Sequence, residues 1–295
     1  MLITHVLLVP AAKYPKDIYC LGRYIGYPNL PDLIQQYLTQ QATSNVDQDP
    51  TTTPLPPSIT HETVSQVEHV KVFHSTRAIF CAPSNPSSTS GMYCETIRAT
   101  PSWNRGEIPG PRYDCIFVAD GGSSESDMNG LLVARVLLFF SFMIDEELHQ
   151  CALVHWFSTL GNQPDPDNGM WVVVPKAAGQ SRSVSVVHID SIVRAAHLLP
   201  IFDKEPIPHT LNYTKTLDLF QGFYVNSYID YHAYETVFNI IFHPLFKFGS
   251  PEAQKRRSST GWQAVTLGKY ITADSRQFVK EGSGVKHTRL VAINR

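Results

Sequence analysis

The sequence predicts an α+β chain, mainly an antiparallel β-barrel or sandwich with flanking helices. Three observations carry that prediction. Short runs rich in Val, Ile, Phe or Trp recur from about residue 70 onward, each bounded by Gly, Pro, Asn, Asp or Ser. Apolar spacing of helical period is confined to the flanks of that block. The 295 residues also include 21 prolines and only 17% charged side chains, a composition that leans to loops and strands.

Taken in order, Met1 to Ala12 holds the apolar run Val6-Leu7-Leu8-Val9 with no Lys or Arg before it. That run is short for a signal-peptide core, so the chain reads as intracellular. Pro28 to Gln41 reads as an amphipathic helix, with Leu30, Leu33, Ile34, Tyr37 and Leu38 on one face and Pro31 in the first turn, where proline is tolerated. Residues 1–41 are therefore expected to form an N-terminal helical segment. Residues 42–69, with Thr51-Thr52-Thr53-Pro54-Leu55-Pro56-Pro57 at their centre, read as a Thr/Pro/Gln-rich linker.

Residues 70–243 are expected to form the β-rich core with C-terminal helices. Its strand candidates are Lys71 to Phe80, Cys115 to Val118, Leu132 to Phe142, Ala152 to Phe157, Met170 to Val174 and Ser183 to Ile189. Asp120-Gly121-Gly122 and Pro164-Asp165-Pro166-Asp167-Asn168-Gly169 are the clearest turns. Ile192 to Leu199 fits a short helical turn or buried connection ending at Pro200, and Thr216 to Phe242 favours one or two helices. Residues 244–295 are polar and Gly-containing, and read as a poorly assigned, disordered tail.

Composition narrows the chemistry. A net charge of −2 argues against a strongly basic nucleic-acid binder, for which a domain pI above about 9 is usual. With 43% hydrophobic and 11% aromatic residues the chain is too apolar to be disordered throughout. Cys20, Cys81, Cys94, Cys115 and Cys151 are odd in number and hold no CxxC pair, so they read as reduced thiols buried as small hydrophobes. The sequence carries no GxSxG, HExxH, P-loop or GxGxxG motif. No stretch reaches the roughly 18 apolar residues of a membrane-spanning helix, and neither membrane contact nor a cofactor is expected.

His188, Asp190 and His197 are of metal-ligating type, and His232 and Glu235 share a helix face at i,i+3. The plainer reading has His188 and Asp190 closing a strand and His197 packing in the next turn, so no metal site is assigned. Asp165 and Asp167 fit turn chemistry rather than an acid–base pair. Arg98, Arg105, Arg112, Arg135 and Arg194 are scattered, and only Lys255, Arg256 and Arg257 form a basic run, the one candidate patch for phosphate contact or nuclear import. Trp103, Trp156, Trp171, Phe139, Phe140 and Phe157 have the residue type for base stacking, but at strand spacing they are expected in the core.

Longer strings carry a resemblance. Pro83-Ser84, Gly91-Met92-Tyr93, Arg98, Pro101-Ser102-Trp103, Arg112-Tyr113-Asp114 and Val118 stand in order. They are followed by Val133-Ala134-Arg135-Val136, Phe139-Phe140-Ser141-Phe142, Cys151-Ala152-Leu153-Val154-His155-Trp156-Phe157 and Gly169-Met170-Trp171-Val172-Val173. His188-Ile189-Asp190, Ile192-Val193-Arg194-Ala195-Ala196-His197-Leu198, Tyr224-Val225-Asn226 and Asp230-Tyr231-His232-Ala233-Tyr234-Glu235 complete the set. Together, over roughly residues 12–240, they resemble the region C-terminal to the nuclease domain in Plavaka-type (KDZ/CACTA-like) DNA transposases of basidiomycete fungi. Tyr14-Pro15 and Pro28-Asn29-Leu30-Pro31-Asp32-Leu33-Ile34 resemble the family's helix before that block. Two departures stand out: Ser87-Ser88-Thr89-Ser90 replaces the family's Gly-rich turn, and no counterpart matches the chain from about Lys247.

The resemblance implies a non-catalytic accessory module, because the family's RNase H-like domain lies upstream and none of its acidic residues has an equivalent here. Such a module, whether working or a decayed relic, would contact nuclear protein or DNA. The strand block also resembles a bromo-adjacent-homology barrel, which implies a second reading: a chromatin reader with an aromatic cage for a modified lysine. A metal-dependent hydrolase built on His188, Asp190 and His197 is the third. Three clustered, exposed aromatic rings would favour the reader, and convergence of the two histidines with the aspartate would favour the hydrolase.

Overall fold

In the computed structural model the described residues are 3–46, 64–80, 93–103, 110–120, 128, 130–202 and 211–238. All of them belong to the first of two units into which the chain divides, 1–248 and 249–295. The polar tail from 244 and its run Lys255-Arg256-Arg257 lie outside the described residues, as do Cys81, the strings from Pro83 to Met92, and Arg105.

The N-terminal part contributes strand β1 (Ile3–Leu7) and helices α1 (Ile18–Tyr24) and α2 (Leu30–Val46). Strands β2 (Glu68–Phe73), β3 (Ser75–Phe80), β4 (Tyr93–Trp103), β5 (Gly110–Tyr113), β6 (Cys115–Ala119), β7 (Leu131–Ile144) and β8 (Glu147–Thr159) follow. Then come β9 (Trp171–Pro175), β10 (Ala177–Ala178), β11 (Ser181–Arg182), β12 (Val184–His188), β13 (Ile192–Ala196) and β14 (Leu198–Pro200). A short helix α3 (Thr216–Leu219), strand β15 (Phe223–Val225) and helix α4 (Tyr231–Phe238) end the described chain.

The fold is α+β, and its strands pair antiparallel. One sheet has the order β1-β3-β4-β5; the main sheet runs β13-β6-β7-β8-β9-β15-β14, with β2 added on β7 and β12 on β8. The two ends of that main path are β13 and β14, which are consecutive in the chain and separated only by His197. One residue spans no more than about 7 Å between its neighbours' Cα atoms, so the ends of the sheet must meet, and the sheet is a nearly closed barrel. Asn226 holds this corner: its backbone N–H donates to the His197 carbonyl at 2.8 Å, and its side-chain Nδ2 lies 3.0 Å from His197 Nδ1.

The β7–β8 hairpin is the axis of packing. Its turn residues, Asp145 and Glu146, both take positive φ, 49° and 63°, the conformation of a two-residue hairpin turn without the usual glycine. Phe139, Phe140 and Phe142 are fully buried. Each such ring removes enough apolar surface from water to be worth roughly 1.5–3 kcal/mol. In β7 two residues oppose one of β8 between Val136 and Leu138, a bulge at Leu137. Because side chains alternate with period two, the bulge changes which face each parity serves. Ahead of it Ala134 and Val136 face the core that β1–β6 cover, while Leu131 and Val133 join the core of β9, β15 and the C-terminal helices. Beyond it Phe139 takes over the former, and Leu138, Phe140, Phe142 and Ile144 pack under α1 and α2.

Helix α2 buries the five apolar positions read from its spacing, Leu30, Leu33, Ile34, Tyr37 and Leu38. It continues to Val46, five residues into the segment expected to be linker. Four other expectations change. The N-terminal part is not only helical, since Ile3–Leu7 pairs with β3. The run Lys71 to Phe80 is two strands broken at His74, one joining each sheet. Ile192 to Pro200 is strand rather than a helical turn: apolar residues pointing to both sides of a buried strand leave no period-two signature, so the run reads equally as a turn of helix. Within the segment read as one or two helices from Thr216, Phe223–Val225 is a strand between β9 and β14. The cysteines also divide, with Cys115 and Cys151 buried but Cys20 and Cys94 exposed. Burial pushes the Cys115 thiol up to about 12, which keeps it protonated and inert.

Candidate functional site

Three of the exposed aromatic residues of the described chain, Tyr228, Tyr231 and Tyr234, lie where β15 hands over to α4. Several of the segment's polar groups are tied by hydrogen bonds. Asn226 Oδ1 accepts from the Tyr228 N–H at 3.1 Å. Asp230 caps α4 by accepting from the Ala233 N–H at 2.6 Å. Tyr228 reaches across to donate its hydroxyl to the Asn168 carbonyl at 3.2 Å. That approach requires Gly169, whose φ is +69° and where a Cβ would stand 2.9 Å from the Tyr228 oxygen.

On this frame Tyr228, Tyr231 and Tyr234 are 58%, 66% and 40% exposed, with Ile229 beside them. The Tyr228 and Tyr234 rings lie 6.1 Å apart at 32°, and Tyr234 packs on Phe238 at 4.7 Å. Behind Tyr231, His232 contacts the Tyr93 ring at 4.2 Å, and Tyr93 in turn lies over Phe80. Acidic side chains border the face: Asp230 at the start of α4 and exposed Asp167 in the turn that Tyr228 touches.

An ion cluster around buried Arg194 ties down the start of α4. Arg194 on β13 binds Asp230 with both terminal nitrogens, at 3.1 and 2.9 Å, and Glu95 of β4 at 3.3 Å. Glu95 also accepts the Ala195 N–H at 2.6 Å. Burial pushes the Glu95 carboxyl up despite the pull of Arg194. At Asp230 burial acts the same way, but the Arg194 bonds outweigh it and hold this carboxyl below its ordinary value.

The described histidines and aspartates singled out from the sequence have local hydrogen-bond partners. His188 Nδ1 accepts from the Asp190 N–H at 3.2 Å, capping a single helical turn, while His197 sits at the barrel corner with Asn226. His232 and Glu235 do share a helix face, 3.4 Å apart. Among the described residues no group of three His, Cys, Asp or Glu side chains is placed to hold a metal ion. Asp165 Oδ1 accepts from the backbone N–H groups of Asp167 and Asn168, at 2.9 and 3.3 Å, which is the turn chemistry expected of it. Arg98 and Arg112 lie over Trp103 at 4.5 and 5.5 Å, and Arg112 pairs with Asp114 at 2.8 Å, so this indole is enclosed by guanidinium groups. Phe139, Phe140, Phe157 and Trp171 are core, and Trp156 is partly covered.

Sequence reasoning did not single out the tyrosine face. Its signal was the spacing Tyr228, Tyr231, Tyr234, three residues apart around a capping aspartate, which places rings on one side of a helix start. No described helix is long and apolar enough to cross a membrane. In comparisons with family models, curated proteins and solved structures, no match was found.

Proposed function

We propose that the chain is a non-catalytic interaction module, related to the region beyond the nuclease domain of Plavaka-type transposases, which takes a basic protein segment on its tyrosine face. One observation carries the reading: Tyr228 and Tyr234 stand exposed side by side at a capped helix start, and Tyr231 is exposed in the first turn of the same helix. Tyrosine brings a large apolar body, a polar tip and little rotamer entropy, which is why it is enriched at the energetic centres of interfaces. Exposed Asp167 at the border favours arginine or lysine over nucleic-acid phosphates, and cations are attracted to the faces of exposed rings.

The relationship to transposases rests on the ordered strings from Tyr14 to Glu235, and a nuclear setting follows from it. An adjacent nuclease-domain reading frame in the genome would support the relationship, and a fluorescent fusion held out of the nucleus would count against the setting. For the face itself, an arginine-rich peptide should bind the whole chain and lose most of its affinity in the double variant Tyr231→Ala/Tyr234→Ala, with circular dichroism unchanged. Peptide binding that survives the double substitution, or duplex DNA binding that depends on it instead, sinks the reading.

A modified-lysine reader is the second reading, favoured by the same three rings. It stands behind the first because Tyr228 and Tyr234 touch each other at 6.1 Å rather than leaving a slot for a methylated ammonium group. Tighter binding of a trimethyl-lysine peptide than of its unmodified form would reverse that order.

A further inference from the structure

A second polar cluster lies away from the tyrosine face, where β7, β8, β11, the α1–α2 connection and α3 meet. Arg135 and His155 are cross-strand neighbours, just ahead of the β7 bulge. The Arg135 guanidinium is buried and donates to Asp218 Oδ1 at 2.7 Å; Arg182 approaches the same oxygen at 3.4 Å and donates to the Leu217 carbonyl at 3.1 Å. Tyr113 lies under Arg135 at 5.4 Å. Tyr27 from the α1–α2 connection shares a 2.8 Å hydrogen bond with His155 Nε2. His155 Nδ1 is buried without a hydrogen-bond partner among the described residues.

The charges do not balance. Two guanidinium groups converge on one oxygen of one carboxylate, and Asp218 is itself 52% exposed. The nearby acid Asp114 is already held by Arg112 and by the Arg98 N–H. A buried cation is retained cheaply only when fully paired, so a half-exposed aspartate on a one-turn helix is a weak counter-ion for two arginines. A phosphate monoester carries close to two negative charges at neutral pH and presents three acceptor oxygens to guanidinium forks. In place of the Asp218 carboxylate it would neutralise both arginines, with Tyr27 and His155 at hand as further hydrogen-bonding groups. Asp218 has the exposure it needs to turn outward.

From this charge count and geometry we propose that the Arg135–Arg182–His155–Tyr27 cluster is a site for the terminal phosphoryl group of a phosphate monoester, with Asp218 as its built-in stand-in. This site is separate from the tyrosine face and does not depend on what that face binds.

The test is a titration of the whole chain with inorganic phosphate at constant ionic strength, read by calorimetry and by thermal stability, with chloride and dimethyl phosphate as comparators. Phosphate should bind and stabilise; chloride and the singly charged diester should do so far less. Asp218→Asn, an exposed near-isosteric change, should tighten phosphate binding by about tenfold because the competing charge is gone. Arg182→Gln, at a partly exposed position, should abolish the effect while leaving the circular dichroism spectrum intact. Equal stabilisation by chloride or dimethyl phosphate overturns the proposal, as does unchanged or weaker phosphate binding in Asp218→Asn. Wild-type phosphate binding in Arg182→Gln overturns it too.

Discussion

Two buried arginines at different places in the same barrel have opposite surroundings. Arg194 on β13 meets two carboxylates, Glu95 and Asp230, the second through both of its terminal nitrogens. Arg135 on β7 meets one, and shares it with Arg182. Each leaves its Nε without a hydrogen-bond partner among the described residues, so an unmet donor is not what separates them. Charge is. The first cluster holds more negative than positive charge, ties β4 to β13 and α4, and caps a helix with the same aspartate. The second holds an excess of positive charge beside an exposed acid. A fully paired ion cluster braces structure; an under-paired one attracts a further anion.

The largest expected effect breaks the braced cluster. Arg194→Met leaves Glu95 and Asp230 facing each other without a cation, and should cost about 3 kcal/mol in urea unfolding. A loss below about 1 kcal/mol would mean that the two carboxylates simply turn to water and the clasp is ornamental.

The next effect is a pH dependence that belongs to the other cluster. Burial, then the Arg182 and Arg135 charges, hold His155 down at about 4. Between the ordinary histidine range near 6.5 and about 4, the unfolded chain therefore takes up a proton that the folded chain refuses. Stability should fall as pH drops through that window and level off below it. Half-buried His149 is shifted in the same direction, so His155→Gln should flatten the curve in part, not wholly. Urea midpoints across pH 7 to 4 that are identical for wild type and His155→Gln would be inconsistent with this assignment.

Asp218→Asn sharpens the contrast. If the pair at Arg135 is a stand-in rather than a brace, loss of this half-exposed charge should cost clearly less stability than the Arg194 change, because the asparagine keeps a hydrogen-bond acceptor beside Arg135. Equal losses from Arg194→Met and Asp218→Asn would erase the distinction between the two clusters. Tyr231→Ala should move stability least, by no more than about 0.5 kcal/mol, because its ring is the most exposed of the three. A larger loss in thermal unfolding would make that ring part of the core rather than of an open face.

Much of the framework was legible because its signals are local. The α2 positions Leu30, Leu33, Ile34, Tyr37 and Leu38 repeat at helical spacing and are buried together. The Pro164 to Gly169 turn was readable from residue types alone, since aspartate bonds its own neighbouring amides. The bulge at Leu137 was not, because one extra residue in the apolar run Val136 to Phe140 changes no pattern. Nor were β13 and β14, whose pairing partners lie far along the chain. The site was harder still. The tyrosine spacing was visible, but exposure was not, and equally spaced aromatics elsewhere in the chain are core.

Alternation, helical period and turn chemistry depend on near neighbours, so the α+β class, the helix before the barrel and most of the barrel's strands could be read along the chain. That Arg194 is braced and Arg135 under-paired emerges only once the chain is folded. Charge balance is a sum over groups the fold collects: Asp230 from 36 residues away and Glu95 from 99 for one arginine, and Asp218 from 83 for the other. No local pattern in a chain encodes which carboxylate will arrive beside which guanidinium, or how many.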